Sequence, residues 1–513
     1  MVLPNMNTDK SKEEGEWMVP VEVMLGSLDH GEVQACSISR IPDEIRAPKE
    51  ECFKPSLVSV GPLHRGATRQ ILLMEEPKWR YAKSFLDRRP RVPPGNNHGG
   101  HGRGRSPEPT GIREWGKEIL KLDKVVRASY GGDLELDPHD LAKIMMVDGC
   151  FLLELLLRLK DYMNPQPNQN QTFSDDPFLE TEEKVMCVLN DISMLENQIP
   201  SIVLKRLYTI VYPDIIIKFA EDHRVATVIQ DAFGYNSKNN HGLAHMLHLM
   251  HMSTVEEDSN NQDTKRLRQA CRELKRCATK LRAAGITIRS RNSNNTANGN
   301  ANANTTISNQ HKLVDIFDFD ISFNEKDKVL EIPALHIKET TELRWRNLIA
   351  WEQSRIWIRG KYTSYALFFQ TLICSEHDIK LLEKKGVIVN EINMSRAELK
   401  TMFETISAGA EHMDSSYSDH CRNLNSHRTT LGTKVFRQWP IITWHMFRRF
   451  LETVVFYFWN WYGILVRDHI PTVWKFVGVV AAVVLLVLTI MQTYYSAKQT
   501  HFAEQSSNSP SRH

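Results

Sequence analysis

Four histidines, His241, His245, His248 and His251, stand four, three and three residues apart. That spacing would set their imidazoles along one face of a helix. Imidazoles on neighbouring turns suit a Zn²⁺ ion, provided further ligands close the tetrahedron. Here no Cys or acidic motif follows at metal-site spacing, and Leu243, Met246, Leu247 and Met250 share the segment. The pattern therefore favours a polar helix edge, with His241, His245 and His248 the candidates for a metal centre should there be one. Asp318, Asp320, Ser322 and Asn324 imitate the start of a calcium loop, but Phe323 stands where the turn glycine is required, and calcium is rejected.

A second constellation consists of polar residues set in apolar stretches. Asp148 lies within MMVDGCF, Glu196, Asn197 and Gln198 within DISMLENQIP, and Asn347, Glu352 and Gln353 within WRNLIAWEQS. Buried carboxylates and amides need partners, and a satisfied network can specify one core arrangement. The alternatives are a catalytic carboxylate pair drawn from Asp148, Glu196 and Glu352, or a ligand pocket. No Walker loop, G-x-G-x-x-G, G-x-S-x-G or H-E-x-x-H occurs in the sequence. Distant residues can still assemble a triad, but the expectation is a non-enzymatic protein with no cofactor and no catalytic residues.

Helices must position most of these groups. Leu141, Ile144, Met145, Asp148, Phe151, Leu152, Leu155 and Leu159 repeat at three and four, which predicts a mostly buried helix. Thr264–Arg282 reads as another, with Leu267, Leu274 and Leu281 on one face and a basic face of Lys265, Arg266, Arg268, Arg272, Lys275, Arg276 and Lys280. A solvated face is the expected meaning, and an adaptor surface for an acidic partner or anionic lipid is the sharper one. After Gly285 the period changes. Ile286–Ile288, the alternation Phe317, Phe319, Ile321, Phe323, and Val329–Ile332 predict a small antiparallel sheet, before Trp345–Trp357 and Ser364–Leu382 return to helix. The fold class is mainly α: a large helical globular body, a small antiparallel β element and one C-terminal transmembrane helix.

The 513 residues carry 64 basic and 62 acidic side chains, so no global field points to nucleic acid. An arginine–glycine flavour in 91–113 (RVPPGNNHGGHGRGRSPEPTGIR) is too short to change that, and no nucleic-acid partner is expected. This stretch and the Asn-, Ala- and Thr-rich 290–310 read as low-complexity inserts in a body over 36–434, behind a flexible segment over 1–35. Asn164–Asp176 is a milder linker. The eight cysteines are scattered without a Cys-x-x-Cys pair, which fits a reducing compartment. The N-terminus has no apolar h-region, so a cleaved secretory signal is not expected.

Residues 473–495 read VWKFVGVVAAVVLLVLTIMQTYY, and Phe476–Met491 contains no charge. About twenty apolar residues span a hydrocarbon core as a helix, and Trp474, Tyr494 and Tyr495 sit where interfacial aromatics belong. The lipid bilayer is thus the first expected partner, an unknown protein the second. Arg448, Arg449, Arg467 and Lys475 crowd the N-terminal flank. The positive-inside bias puts the body in the cytosol and the polar tail 496–513 outside, as in a tail-anchored, single-pass protein of the plasma membrane or an endomembrane. Sequons at Asn170, Asn294, Asn304 and Asn393 would matter only for an extracellular body. The aromatic segment 435–471 has two readings: an interfacial amphipathic helix with Arg448 and Arg449 at the headgroups, or a helix packed on the body.

Ordered blocks along the chain resemble the plant domain of unknown function 247 family. They are CSISRIPDEIR (36–46), FKPSLVSVGPLHRG (53–66), MEEPKWRYAKSFL (74–86), MMVDGCFLLELLLRL (145–159), DISMLENQIP (191–200), LRAAGITI (281–288), LEIPALHI (330–337), RNLIAWEQ (346–353), TSYALFFQTLI (363–373) and the apolar C-terminal stretch. The two inserts depart from the family's more compact pattern. The resemblance implies a plant protein with one C-terminal transmembrane helix, no established enzymatic activity and no catalytic residues to carry over. Grass members of the family are associated with self-incompatibility loci, as candidate pollen-side determinants. The family has also been drawn with its bulk outside the cell, opposite to what the charges here imply.

Overall fold

A computed structural model describes residues 35–89, 111–130, 134–163, 173–212, 218–235, 243–255, 274–291, 317–355, 358–411, 417–427, 447–455, 457–459 and 473–507. The chain divides into two units, Met1–Arg428 and Thr429–His513.

The first unit is assembled round a helix that is apolar on nearly every side. Its elements are α1 (Asp43–Arg46), a 3-10 helix (Ala47–Phe53), α2 (Arg69–Leu73), α3 (Glu75–Asp87), α4 (Ile112–Leu120), α5 (Asp123–Ser129), α6 (Pro138–Met163), α7 (Glu182–Asp191), α8 (Ser201–Val211), α9 (Lys218–Phe233), α10 (Met246–Thr254) and α11 (Ala278–Ala283). There follow β1 (Thr287–Arg291), β2 (Ser322–Asn324), β3 (Val329–Pro333), β4 (Leu335–Ile337), α12 (Thr341–Gln353), α13 (Lys361–Leu372), α14 (Glu376–Lys384), β5 (Ile388–Asn390), α15 (Arg396–Thr405) and α16 (Ser418–Ser426). Helix α6 opens on Pro138, whose missing N–H costs nothing in a first turn. The eight residues predicted for its buried face are all buried, and α3, α4, α8 and α9 pack round it. At Gly149 an added Cβ would come within 2.5 Å of Leu207 Cδ1, so α8 can lie this close only because no side chain intervenes.

Strand β3 is shared by β1, which runs parallel to it, and β2, which runs antiparallel. The sheet expected to be antiparallel is therefore mixed, and β4 and β5 form a second, parallel pair. Phe317, Phe319 and Ile321 precede β2 in extended chain without a ladder. Their alternation arises from packing: Phe317 and Phe319 set their rings edge-on to Tyr362 at 5.1 and 4.8 Å.

Other boundaries also move. Helix α12 ends at Gln353 and not at Trp357, and the stretch read as one helix over 364–382 breaks at Ile373–Ser375. There Ser375 and Asp378 form a capping box that starts α14 afresh. The helix predicted over Thr264–Arg282 is not continuous: Cys277 is the N-cap of α11, and residues 274–277 precede it in non-helical chain. Lys275 N–H donates to Asn425 Oδ1 and Arg276 to the His427 carbonyl. The unbroken basic face is thus cut, and Lys265, Arg266, Arg268 and Arg272 lie outside the described residues. Helix α4 begins at Ile112, within the stretch read as an insert, because Trp115 and Ile119 continue its period towards α6. Strand β1 likewise takes Ser290 and Arg291 from the other insert.

In the second unit, residues 447–455 and 457–459 are helical, and α17 (Val473–Ser507) is one helix of 35 residues. Within α17, Val477–Ser496 is long and apolar enough to cross a membrane, and none of it is buried in protein. Twenty residues at about 1.5 Å each give about 30 Å, the thickness of a hydrocarbon core.

Candidate functional site

Two of the polar residues singled out from the sequence, Asp148 and Asn197, meet at an irregular stretch of backbone, Ser56–Gly61, which has no regular ladder to satisfy it. Asp191, the last residue of α7, accepts from Ser56 N–H at 2.9 Å and from Leu57 and Val58 N–H at 2.7 Å each. Asn197 accepts from Val60 N–H at 2.6 Å and donates to the Val58 carbonyl at 2.9 Å. Asp148 on α6 accepts from Gly61 N–H at 3.1 Å, and Lys78 Nζ on α3 donates to the Ser59 carbonyl at 2.9 Å. Side chains thus do for this strand what a neighbouring strand would do elsewhere. The clasp turns at Gly61, whose φ of +80° suits glycine, and a Cβ there would lie 2.8 Å from Tyr130 Oη and 2.9 Å from the Gln198 carbonyl.

Charge compensates the burial. Lys78 Nζ is 2.6 Å from Asp148 Oδ1 and 2.7 Å from Glu75 Oε1. Arg65, partly exposed, pairs with Glu75 and comes within 3.7 Å of Asp148. Complete burial pushes the Asp148 carboxyl above its ordinary range, and the Lys78 ammonium offsets only part of that. Burial also pushes Asp191 up to about 6 against the pull of its three backbone donors. Glu196 goes the other way. Burial raises it, but the His64 ring, Ile41 N–H and Arg46 outweigh burial and hold it below the usual carboxylate range. Its contacts are Ile41 N–H at 2.8 Å, Arg46 at 2.5 Å and His64 Nε2 at 3.2 Å.

Glu352 serves a third junction. It accepts from Tyr362 N–H at 2.9 Å, Thr363 N–H at 2.8 Å and Thr363 Oγ1 at 2.7 Å, and meets His251 Nε2 at 2.9 Å. Asn347 accepts from Leu195 N–H at 3.0 Å and donates to the Cys52 and Leu343 carbonyls. Gln198 donates to the Ile192 and Met194 carbonyls at 2.8 Å each and accepts from Leu247 N–H. Gln353 bridges Thr363 and Glu411. Asp148, Glu196 and Glu352 share no partner, so the carboxylates considered as a catalytic pair are distributed over three joints.

The histidine pattern resolves differently from its sequence reading. His241 lies outside the described residues. His245 is the N-cap of α10, not part of its face, and His245, His248 and His251 are all buried, so they form no polar helix edge. Among the described residues no group of three or more His, Cys, Asp or Glu side chains is placed to hold a metal. His245 Nδ1 accepts from His248 N–H at 3.2 Å while its Nε2 meets the Ser37 carbonyl at 3.1 Å, which assigns the proton to Nε2. His248 Nδ1 accepts from Ala244 N–H at 3.2 Å. A second proton on either ring would confront an N–H. Burial, with the neighbouring imidazole adding to it, drives His245 well below its ordinary pKa and His248 down to about 3.

Sequence reasoning missed Lys78, Arg65, His64 and Asp191. Lys78 carried a signal: Tyr81, Ala82 and Phe85, three, four and seven residues on, put it on the buried face of α3. His64 and Arg65 lie in an irregular loop, where no periodicity tells which side chains face inward.

The blocks that meet at this clasp are those by which the sequence resembles a family, and the family comparison agrees. DUF247, described as "Plant protein of unknown function", matches residues 38–488. The chain belongs to the DUF247 family. Its DUF247 match takes in the clasp, its three carboxylate joints and most of the apolar stretch of α17. A UPF0481 protein of Arabidopsis thaliana is 22% identical over 488 residues, covering 91% of this chain and 87% of that protein. No solved structure matches the chain.

Proposed function

We propose that this DUF247 protein is a membrane-anchored, non-enzymatic recognition protein, held in the bilayer by α17 while its helical body engages a protein partner. The observation that carries the proposal is the use made of its buried carboxylates. Asp148, Glu196 and Glu352 are each engaged by backbone N–H groups and by Lys78, Arg46 or His251. Groups committed in this way hold loops in register and are not free to exchange protons with a substrate. This counts against a membrane-tethered enzyme built on them. The break in the helix before Cys277 counts equally against an adaptor that binds anionic membranes through one basic face. The charge asymmetry across the span supports a cytosolic body. Self-recognition in pollen is the finer form of the proposal, supported by the family resemblance.

The test uses the full-length chain from its native membranes. After alkaline carbonate washing it should remain in the membrane pellet, and release into the wash would end the anchoring. Solubilised in mild detergent and weighed by light scattering, it should run as a stoichiometric complex with a second protein. A chain found alone, with full occupancy of the monomer mass, overturns recognition.

A further inference from the structure

The helix at 447–455 presents two chemically distinct faces. At about 100° per residue, Phe447, Phe450, Leu451, Val454 and Val455 fall within an arc of about 140°, and Arg448, Arg449, Glu452 and Thr453 fall within the opposite one. Among the described residues the apolar face is exposed: Phe447, Phe450, Leu451, Val454 and Val455 are between 45% and 65% exposed. On the polar face Arg448 reaches Glu452 at 2.9 Å, leaving Arg449 to give the face its net positive charge. Directly beyond, the sequence runs FYFWNWY over 456–462, and Tyr457, Phe458 and Trp459 are exposed too. The same unit then carries the apolar helix α17.

We propose that helix 447–455 lies in the plane of an anionic membrane surface, its apolar arc among the upper acyl chains and Arg448 and Arg449 at the lipid phosphates. Three observations select lipid as the occupant. An arc of Phe, Leu and Val with no polar atom has nothing to offer a partner that must be hydrogen-bonded. The cationic flank complements the negative cytoplasmic leaflet. Tyr457 and Trp459, of the residue types enriched at the headgroup layer, directly follow it. The inference rests on the anchoring by α17 and adds to it a second attachment, parallel to the surface, that sets how the chain leaves the bilayer.

The experiment places a diazirine photo-crosslinking amino acid singly at Leu451, Val454, Thr453 and Leu485 in the full-length chain. Each variant is reconstituted in bilayers of phosphatidylcholine alone or with phosphatidylserine. Lipid adducts at Leu451 and Val454, about five-fold or more above those at Thr453 in the serine-containing bilayers, are expected, because the arc alone contacts acyl chains. Protein adducts at Leu451 and Val454, whether to the body or to a second copy, overturn the proposal. So do lipid adducts at Leu485 with none at Leu451 and Val454, an outcome that leaves the anchor standing. Absence of lipid adducts at Leu485 removes the anchor itself. Equal yields in the two bilayers overturn the anionic preference, which R448Q/R449Q should abolish.

Discussion

Acid should loosen the body through the buried imidazoles at the start of α10, and the size of the effect follows from how His248 is held. Its ring is buried against Trp351 at 5.1 Å and accepts the Ala244 N–H, so the folded chain keeps it neutral down to about pH 3, against 6.5 for an ordinary histidine. A base whose folded pKa is depressed binds its proton first in the unfolded state. Its contribution to stability is therefore whole above 6.5 and is lost progressively as the pH falls. Lowering the pH from 7 to 5 takes the unfolded side chain about 1.5 units below its pKa, a loss of about 2 kcal/mol at 1.36 kcal/mol per unit. His245, driven down by the same burial, adds to the loss.

Asp191 opposes them. Its folded pKa of about 6 exceeds the ordinary 3.8, so the folded state takes up that proton first, and about 1 kcal/mol is regained over the same interval. The histidines win. The assay is urea unfolding of the full-length chain in detergent at pH 7 and pH 5, followed by tryptophan fluorescence from the buried Trp345 and Trp351. His248→Asn is the informative variant, since the amide oxygen can replace Nδ1 as acceptor for Ala244 N–H without titrating. Whatever its stability at pH 7, it should lose about 2 kcal/mol less than the parent between pH 7 and pH 5. If parent and variant lose the same amount, His248 is not the buried neutral group described here.

Two further outcomes test the clasp. Lys78→Met should destabilise the chain by about 3–5 kcal/mol in the same unfolding assay, because it strands a buried carboxylate. Adding Asp148→Asn should restore part of that, and strict additivity of the two changes would show that the pair does not interact. Gly61→Ala places a Cβ against Tyr130 Oη and the Gln198 carbonyl at a φ of +80°. It should cost roughly 2 kcal/mol or more and speed proteolysis in native conditions, and unchanged digestion would contradict the geometry of the turn.

The helical architecture was legible because burial leaves a period in the sequence. The heptad-like run from Leu141 to Leu159 is α6, and DISMLENQIP announced a polar core because its apolar neighbours Ile192, Met194, Leu195 and Ile199 left Glu196 and the amides nowhere to go but inward. What each polar group holds was not legible. Asp191 and Leu57 are 134 residues apart, as Asn347 and Leu195 are 152 apart, and no local pattern encodes such pairings. The histidines at three- and four-residue spacing show the same limit: period alone describes a helix face, but only the packing of Trp351 and the N-cap geometry of His245 make the His245 and His248 rings buried and neutral. Likewise the alternation of Phe317, Phe319 and Ile321 stated which side is buried, while the partner that buries it, α13 and not another strand, came from the fold. The apolar content of α17 needed no tertiary information, since the capacity to cross lipid depends on length and composition alone. Which buried group meets which is decided by chain closure over long separations, where desolvated charges admit very few satisfied arrangements.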